Sequence, residues 1–330
     1  MVEEQFSFLS SDKTTQINAK RWKSSDSEPT KILQITHGMI EFIDRYSNFA
    51  KYLTTFGFLV VGHDHLGHGN SVKSKDDWGY IGPKPSDLLV EDMHLLRQNT
   101  QNLYKDLPYF MLGHSMGSFM LRKYLSLHSE GLSGAIIMGT GYHSPCTMRM
   151  SILIAETIGC FNGDKHKSSF IENQSFGGKY YERYDLTGKD PNNSWLTKDP
   201  EIVKFYYNEP RCTFKFTING YVGLFEAIKY SCDVSNIKII NKNLPILLVS
   251  GSDDPVGDNG KGVKAVYDLM LNSGLKVEMK LYENDRHEIL NETDKEKVYE
   301  DIKEWINSNI NNRKTNETNS QEKIIVYKHD

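Results

Sequence analysis

The order of apolar and polar positions divides the chain into short continuous apolar runs and longer stretches of helical period. Residues 31–36 (KILQIT), 58–62 (FLVVG), 109–112 (YFML), 134–138 (GAIIM) and 245–250 (PILLVS) are runs of the first kind. Their length and their Val, Ile and Phe content predict strands buried on both faces. Residues 277–282 (VEMKLY) alternate, as a half-exposed strand does. Helices are predicted over 45–55, 118–127, 260–271 and 295–310. Another starts at Pro85-Ser86-Asp87, with Ser86 as its N-cap and Leu89, Met93, Leu96 and Leu103 on its inner face. Residues 6–9 and 15–22 predict an antiparallel pair joined by Ser11-Asp12-Lys13. Strands alternating with helices in this way predict an α/β fold, with a mostly parallel central sheet flanked by helices.

The alternation breaks between 141 and 223, where strand-like runs give way to aromatic and polar residues such as Phe176, Tyr181, Trp195, Tyr206 and Phe216. Such sheets bind ligands beyond the carboxyl ends of their strands, so an insertion of this length predicts a lid over a pocket. The expected division is a core of 1–140 and 224–310, a lid of 141–223, and a polar, Asn-rich tail of 311–330 that is expected to be disordered. The apolar patch Ile324-Ile325-Val326-Tyr327 is the one place in that tail where an edge strand could form.

Between the run 109–112 and the helix after it stands Gly113-His114-Ser115-Met116-Gly117, a G-x-S-x-G pentapeptide. A nucleophile on a sharp strand-to-helix turn needs neighbours with almost no side chain two before and two after it. Such a turn lifts the Ser115 hydroxyl above the sheet edge and presents the Met116 amide and the helix N-terminus to a developing oxyanion. A serine hydroxyl also needs a histidine base, itself oriented by a carboxylate. Asp253-Asp254 follows the strand ending at Ser250, and His287 follows the strand ending at Tyr282. Of the two acids Asp254 is preferred, because it directly precedes the turn-forming Pro255; Asp253 reads as a loop cap. The second oxyanion amide is expected just after the strand ending at Thr36, at Met39, with His37 supporting that loop.

The composition narrows the class further. A net charge of −4 and a pI near 6.3 over 330 residues exclude a general nucleic-acid binder. The acidic start MVEEQFSFLS has no cationic, then apolar, leader pattern, and no stretch approaches the roughly 20 apolar residues of a membrane span. Cys146, Cys160, Cys212 and Cys232 lack metal-like spacing and are expected as free thiols of a cytoplasmic protein. His63-x-His65-x-x-His68 approaches a zinc motif of metallo-hydrolases, but Gly67 stands where that motif needs Asp. No metal or organic cofactor and no obligate protein partner is expected.

His37-Gly38-Met39-Ile40-Glu41, Arg45-Tyr46, Gly62-His63-Asp64-His65-Leu66-Gly67-His68-Gly69-Asn70-Ser71 and the GHSMG elbow resemble the monoacylglycerol lipase and bacterial lysophospholipase branch of the α/β hydrolases. The resemblance covers most of residues 5–310 and is strongest before Thr140. It implies the α/β-hydrolase fold, a Ser115, Asp254 and His287 triad, and an oxyanion hole from Met39 and Met116. By the same resemblance the DHLGHG loop is a supporting element, which removes the zinc reading. Glu41 and Arg45 match substrate-binding positions near the polar end of the pocket. Two departures are Ser118, where a second glycine is common, and Leu290, where some monoacylglycerol lipases have a second histidine.

The sequence therefore reads as a serine hydrolase of carboxylic esters, with lipid-like monoesters such as monoacylglycerols or lysophospholipids as its small-molecule substrates and transient contact of the lid with a membrane surface. A peptidase or amidase on the same fold is the alternative. An exopeptidase would want lid carboxylates for a free amine, and Glu172, Glu182, Glu201 and Glu209 are available. A catalytically silent lipid or signal binder has no need of the complete Ser, Asp, His set, and Ser115 excludes a dehalogenase.

Overall fold

A computed structural model describes the backbone over residues 1–326 and the side chains over residues 1–312. The apolar runs pair into one eight-stranded sheet of β1 (Val2–Leu9), β2 (Gln16–Lys23), β3 (Lys31–Thr36), β4 (Phe58–His63), β5 (Tyr109–His114), β6 (Gly134–Met138), β7 (Pro245–Gly251) and β8 (Lys276–Tyr282). Their spatial order is β1-β2-β4-β3-β5-β6-β7-β8. β1 and β4 each run antiparallel to β2, and the other neighbours are parallel.

The helices are α1 (Ser47–Thr54), α2 (Pro85–Leu103), α3 (Met116–His128), α4 (Pro145–Asn162), α5 (Ser169–Phe176), α6 (Pro200–Asn208), α7 (Ile218–Ser231), α8 (Val234–Lys238), α9 (Lys261–Asn272) and α10 (Lys295–Val326). Alternation along β5 shows why both faces must be covered. Phe110 and Leu112 enter an apolar layer with Phe49 and Leu53 of α1 and Ile302 and Ile306 of α10. Tyr109 and Met111 enter the opposite layer, closed by α2, α3, α7 and α9. Every residue of β5 is buried, as a continuous apolar run demands.

Four expectations shift. Ser86 does not cap α2: Lys84 precedes the helix in a left-handed conformation, and Ser86 lies inside the first turn. Its hydroxyl is diverted into the core, donating to Glu226 of α7 at 2.9 Å and accepting from Lys123 of α3 at 2.8 Å. Leu103, the last residue of α2, is exposed rather than inward-facing. The expected boundary at Gly223 falls within α7, a helix that packs on α2 and α3 as well as α4. Finally, α10 runs past Ile310 to Val326, since no Pro or Gly interrupts residues 295–326. The patch considered for an edge strand is helical as far as Val326, and Tyr327 lies outside the described residues.

The end of β4 and the loops after β3 and β4 pack four fully buried histidines together. His37 and His65 have ring centroids 4.3 Å apart, His63 and His65 5.0 Å, and His37 and His68 5.4 Å. Burial lowers the proton affinity of His37 and His63 to about 3 and of His68 to about 4, and His65 is also well below its ordinary value. Unfolded histidines take a proton near 6.5. Between these values the unfolded chain binds more protons, so stability is complete above about pH 6.5 and falls as pH drops toward 4. Neither ring nitrogen of His63 has a partner among the described residues. His63→Leu is therefore expected to shift the acid-unfolding midpoint, followed by circular dichroism, to lower pH; a midpoint that stays put or rises would contradict the assignment.

Candidate active site

The carboxyl ends of the parallel strands meet at one edge, and the loops leaving them carry the sequence-predicted residues. Ser115 forms the turn from β5 into α3 with φ 52° and ψ −120°, a conformation costly for any residue with a Cβ. Close packing imposes it: a Cβ added to Gly117 would lie 2.2 Å from the Thr36 carbonyl oxygen. The Ser115 amide donates to Met138 at 3.0 Å. Its carbonyl accepts from the Ser118 amide at 2.8 Å and from the Ser118 hydroxyl at 2.6 Å. The departure at Ser118 thus tightens the turn.

That anchorage has a geometric corollary. A peptide unit is planar, so fixing the Ser115 carbonyl directs the Met116 N–H the opposite way. Met116 is the first residue of α3, where an amide has no intrahelical acceptor. The same device recurs after β3. His37 Nδ1 donates to the Gly38 carbonyl at 2.8 Å while its Nε2 accepts from the His65 amide at 2.8 Å, so the Gly38–Met39 peptide is held by its oxygen and the Met39 N–H faces away. The following residue, Ile40, is left-handed at φ 56°, a strained state for a β-branched side chain. A Cβ on Gly38 would come 3.1 Å from the Ser115 Cβ, which shows how closely the two loops approach.

His287 and Asp254 are both buried, and His287 Nδ1 donates to Asp254 Oδ1 at 2.9 Å. Asp254 also accepts from the Ser250 hydroxyl and the Val256 amide, each at 2.9 Å. Burial opposes ionisation of Asp254, yet its interaction with His287 and these hydrogen bonds hold its carboxyl below the ordinary value. Asp253 instead has a partly exposed carboxylate, 3.6 Å from the Arg183 guanidinium. Ser115, Met39, Met116 and His287 line one cavity of about 490 Å³, whose far wall is apolar, with Phe119, Met148, Phe176, Leu224, Phe225 and Ile228.

Glu41 and Arg45 border the same cavity, but their polar atoms turn into the protein. Arg45 grips Glu288 with two hydrogen bonds of 2.7 and 2.6 Å and donates to Glu41 at 2.7 Å. Glu41 accepts in addition from the Gly38 amide, the Tyr46 hydroxyl and His114 Nδ1. Burial disfavours charge on His114, but the hydrogen bond and charge of Glu41 raise its proton affinity above the ordinary value. Its Nε2 faces the His287 carbonyl at 3.3 Å. One ionic relay therefore links the Gly38 loop to the His287 loop. Leu290 is buried in the apolar layer beneath α10. Of the zinc-like run, Asp64 is the anchor: it accepts from the Ile43 and Asn70 amides at 2.8 Å and from the Asn18 amide group at 2.9 Å. Among the described residues no His, Cys, Asp or Glu cluster could hold a metal ion. All four cysteines are unbridged, and no described helix is long and apolar enough to cross a membrane.

Residues 27–294 match the family described as serine aminopeptidase, S33. The chain belongs to this family of α/β hydrolases. The hydrolase is similar to a monoglyceride lipase homolog of Monkeypox virus, 27% identical over 88% of this chain and 94% of the relative. It is also similar to a monoacylglycerol lipase of Mycolicibacterium smegmatis, 24% identical over 86% and 91%. Among solved structures, a thermostable carboxyl esterase from Bacillus coagulans in complex with glycerol superposes with a TM-score of 0.84, at 32% identity over 94% of this chain and 99% of that one.

No sequence pattern points to Glu288, and none gives a role to His114, Tyr46 or Trp195. For Glu288 the available signal was a buried-cluster pairing with Arg45, 243 positions away, which no local pattern displays. Removing the middle of the relay leaves two buried carboxylates facing each other. Arg45→Met in the hydrolase is expected to cost about 3–5 kcal/mol, read as a lower urea midpoint at unchanged m-value. Arg45→Lys should recover only part of this, because an ammonium cannot hold Glu288 with two parallel bonds; a midpoint within about 1 kcal/mol of wild type for Arg45→Met would refute the relay.

Proposed function

We propose that the hydrolase cleaves carboxylic esters, with lipid-like monoesters such as monoacylglycerols or lysophospholipids as substrates, through an acyl-enzyme on Ser115. The observation that carries this reading is the buried 2.9 Å bond from His287 Nδ1 to Asp254, on the wall of the same cavity as Ser115. Ser115 Oγ attacks the acyl carbonyl as His287 takes its proton and Asp254 keeps the imidazole in the required tautomer. The Met39 and Met116 amides receive the oxyanion. His287 then returns the proton to the departing alcohol, and water releases the acid by the same route. This chemistry uses no metal ion and no organic cofactor.

The apolar wall from α4, α5 and α7 favours an acyl chain, each buried methylene contributing about 0.8 kcal/mol. On the outer side, Met150, Leu153, Phe161 and Phe170 are exposed on α4 and α5, a surface through which the proposed lid at 141–223 would meet a lipid interface. Glu41 and Arg45 are assigned to the head-group end, where they shape the wall by holding the Gly38 loop. A similar esterase carries glycerol, which supports a small polyol as the leaving group. Support for an exopeptidase is weaker. Glu172, Glu201 and Glu209 are paired with Lys215, Lys204 and Arg211, and neither they nor Glu182 lie on the cavity wall.

Ser115→Ala is expected to remove at least about a thousandfold of the ester turnover while circular dichroism stays native. Across p-nitrophenyl esters of rising length, kcat/KM should climb by up to about fourfold per methylene until the cavity is full. Equal turnover by mutant and wild type would end the mechanism, and a preference for aminoacyl amides over acyl esters would replace it with the peptidase.

A further inference from the structure

His287 contacts two rings. The His114 imidazole is tilted against it, with centroids 4.7 Å apart and planes 39° apart; the Trp195 indole stacks on it, at 5.0 Å and 28°. Asp254 occupies the Nδ1 edge. His114 and Asp254 come from the sheet edge, whereas Trp195 belongs to the long connection between β6 and β7, and no sequence motif points to it.

The chain around Trp195 is tied to the His287 loop along its length. The His287 amide donates to the Trp195 carbonyl at 3.3 Å, and the Glu288 amide to the Leu196 carbonyl at 2.7 Å. Arg286 donates to the carbonyls of Asn192, Ser194 and Thr197 at 3.2, 2.5 and 3.2 Å. In the other direction the Thr197 hydroxyl reaches the Asn291 carbonyl, the Lys198 amide reaches Glu292, and Lys198 Nζ reaches Asp285 at 2.6 Å. Residues 192–198 and 285–292 thus behave as one body, and the indole is fixed relative to the imidazole. Phe176 and Tyr181 pack behind it, with centroids 6.0 and 5.6 Å from Trp195.

An indole face is the best aromatic partner for a cation. When His287 accepts a proton, positive charge appears on a ring that Asp254 meets at one edge and the indole meets on one face. The tilted His114 ring carries the Glu41 hydrogen bond and tends toward its own charged form, so it does not favour that new charge. Glu288 is committed to Arg45. Of the groups that touch the His287 ring, Asp254 and Trp195 are the ones that favour an imidazolium.

We propose that Trp195 is a positioning residue of the reaction: its indole fixes the plane of the His287 ring and stabilises the imidazolium formed as Ser115 is deprotonated, with residues 192–198 as the strap that seats it. This rests on the assignment of Ser115, Asp254 and His287 made above. The test uses a small fluorophosphonate, where the Ser115 Oγ–P bond forms, the P–F bond breaks, fluoride leaves and His287 holds the Ser115 proton. Labelling rates and the kinetics of p-nitrophenyl acetate, too short to fill the apolar wall, are compared for wild type, Trp195→Phe, Trp195→Leu and Trp195→Met, with circular dichroism for folding. Loss of the π face in the Leu and Met variants should slow labelling and kcat about tenfold with KM within about twofold, while Phe stays within about threefold of wild type. Having two non-aromatic variants keeps the comparison decisive if one of them does not fold. Equal rates for Phe, Leu and wild type, or losses that appear in KM alone, would overturn the role of Trp195 and leave the triad standing. Labelling of Ser115→Ala at the wild-type rate would overturn the triad assignment and this inference with it.

Discussion

The edge of the sheet depends on one strained residue. Ser115 is held in a backbone conformation that only its surroundings make tenable, and those surroundings are the carbonyls at the end of β3, the Met138 carbonyl and the first turn of α3. Because strain of this kind costs of order 1–3 kcal/mol, the contacts that enforce it must be rigid. The fully buried β5, covered by an apolar layer on each face, supplies that rigidity. The Ser118 hydroxyl and the His37 ring then do the same work on two neighbouring peptides, clamping a carbonyl so that the amide beyond it has a set direction. Neither clamp places a side chain on the cavity's reacting edge.

The ionic relay extends this control to a loop far away in sequence. Glu41 receives the Gly38 amide, Arg45 joins Glu41 to Glu288, and Glu288 is the residue after His287. Buried charges of this kind are poor sources of net stability, since desolvation offsets most of their attraction. What they supply is registry: two loops that leave β3 and β8 cannot shift independently while a guanidinium holds both. The raised proton affinity of His114 belongs to the same arrangement, because its two nitrogens bridge Glu41 and the His287 carbonyl.

The parts of this architecture legible in the sequence are those where the physics is local. Continuous apolar runs must be strands covered on both sides, and the glycines around Ser115 mark a turn that admits no side chains. Order along the chain was enough to bring Asp254 and His287 to the same edge. Local reasoning failed where a distant partner decided the outcome. Ser86 has the side chain of a helix cap, but a buried Lys123 recruits its hydroxyl. Glu288 looks like one charge in a solvated loop until Arg45 is placed beside it. Trp195 was one of many aromatics in a segment without periodicity, and only the bonds to residues 285–292 set it apart. The boundary at Gly223 was read from a change in composition, whereas α7 is built by packing on both sides of that position.

The strap at 192–198 also bears on how this scaffold can be recombined. In the connection between β6 and β7, α7 packs into the core, but much of α4 to α6 is exposed or lines the cavity, so these three helices look like an exchangeable module whose replacement would alter the wall and spare the sheet. Residues 192–198 break that modularity, since they supply hydrogen-bond acceptors for the amides of His287 and Glu288 and for the Arg286 side chain. A chimera that imports a foreign segment here must therefore splice around this heptapeptide or import the matching 285–292 loop with it.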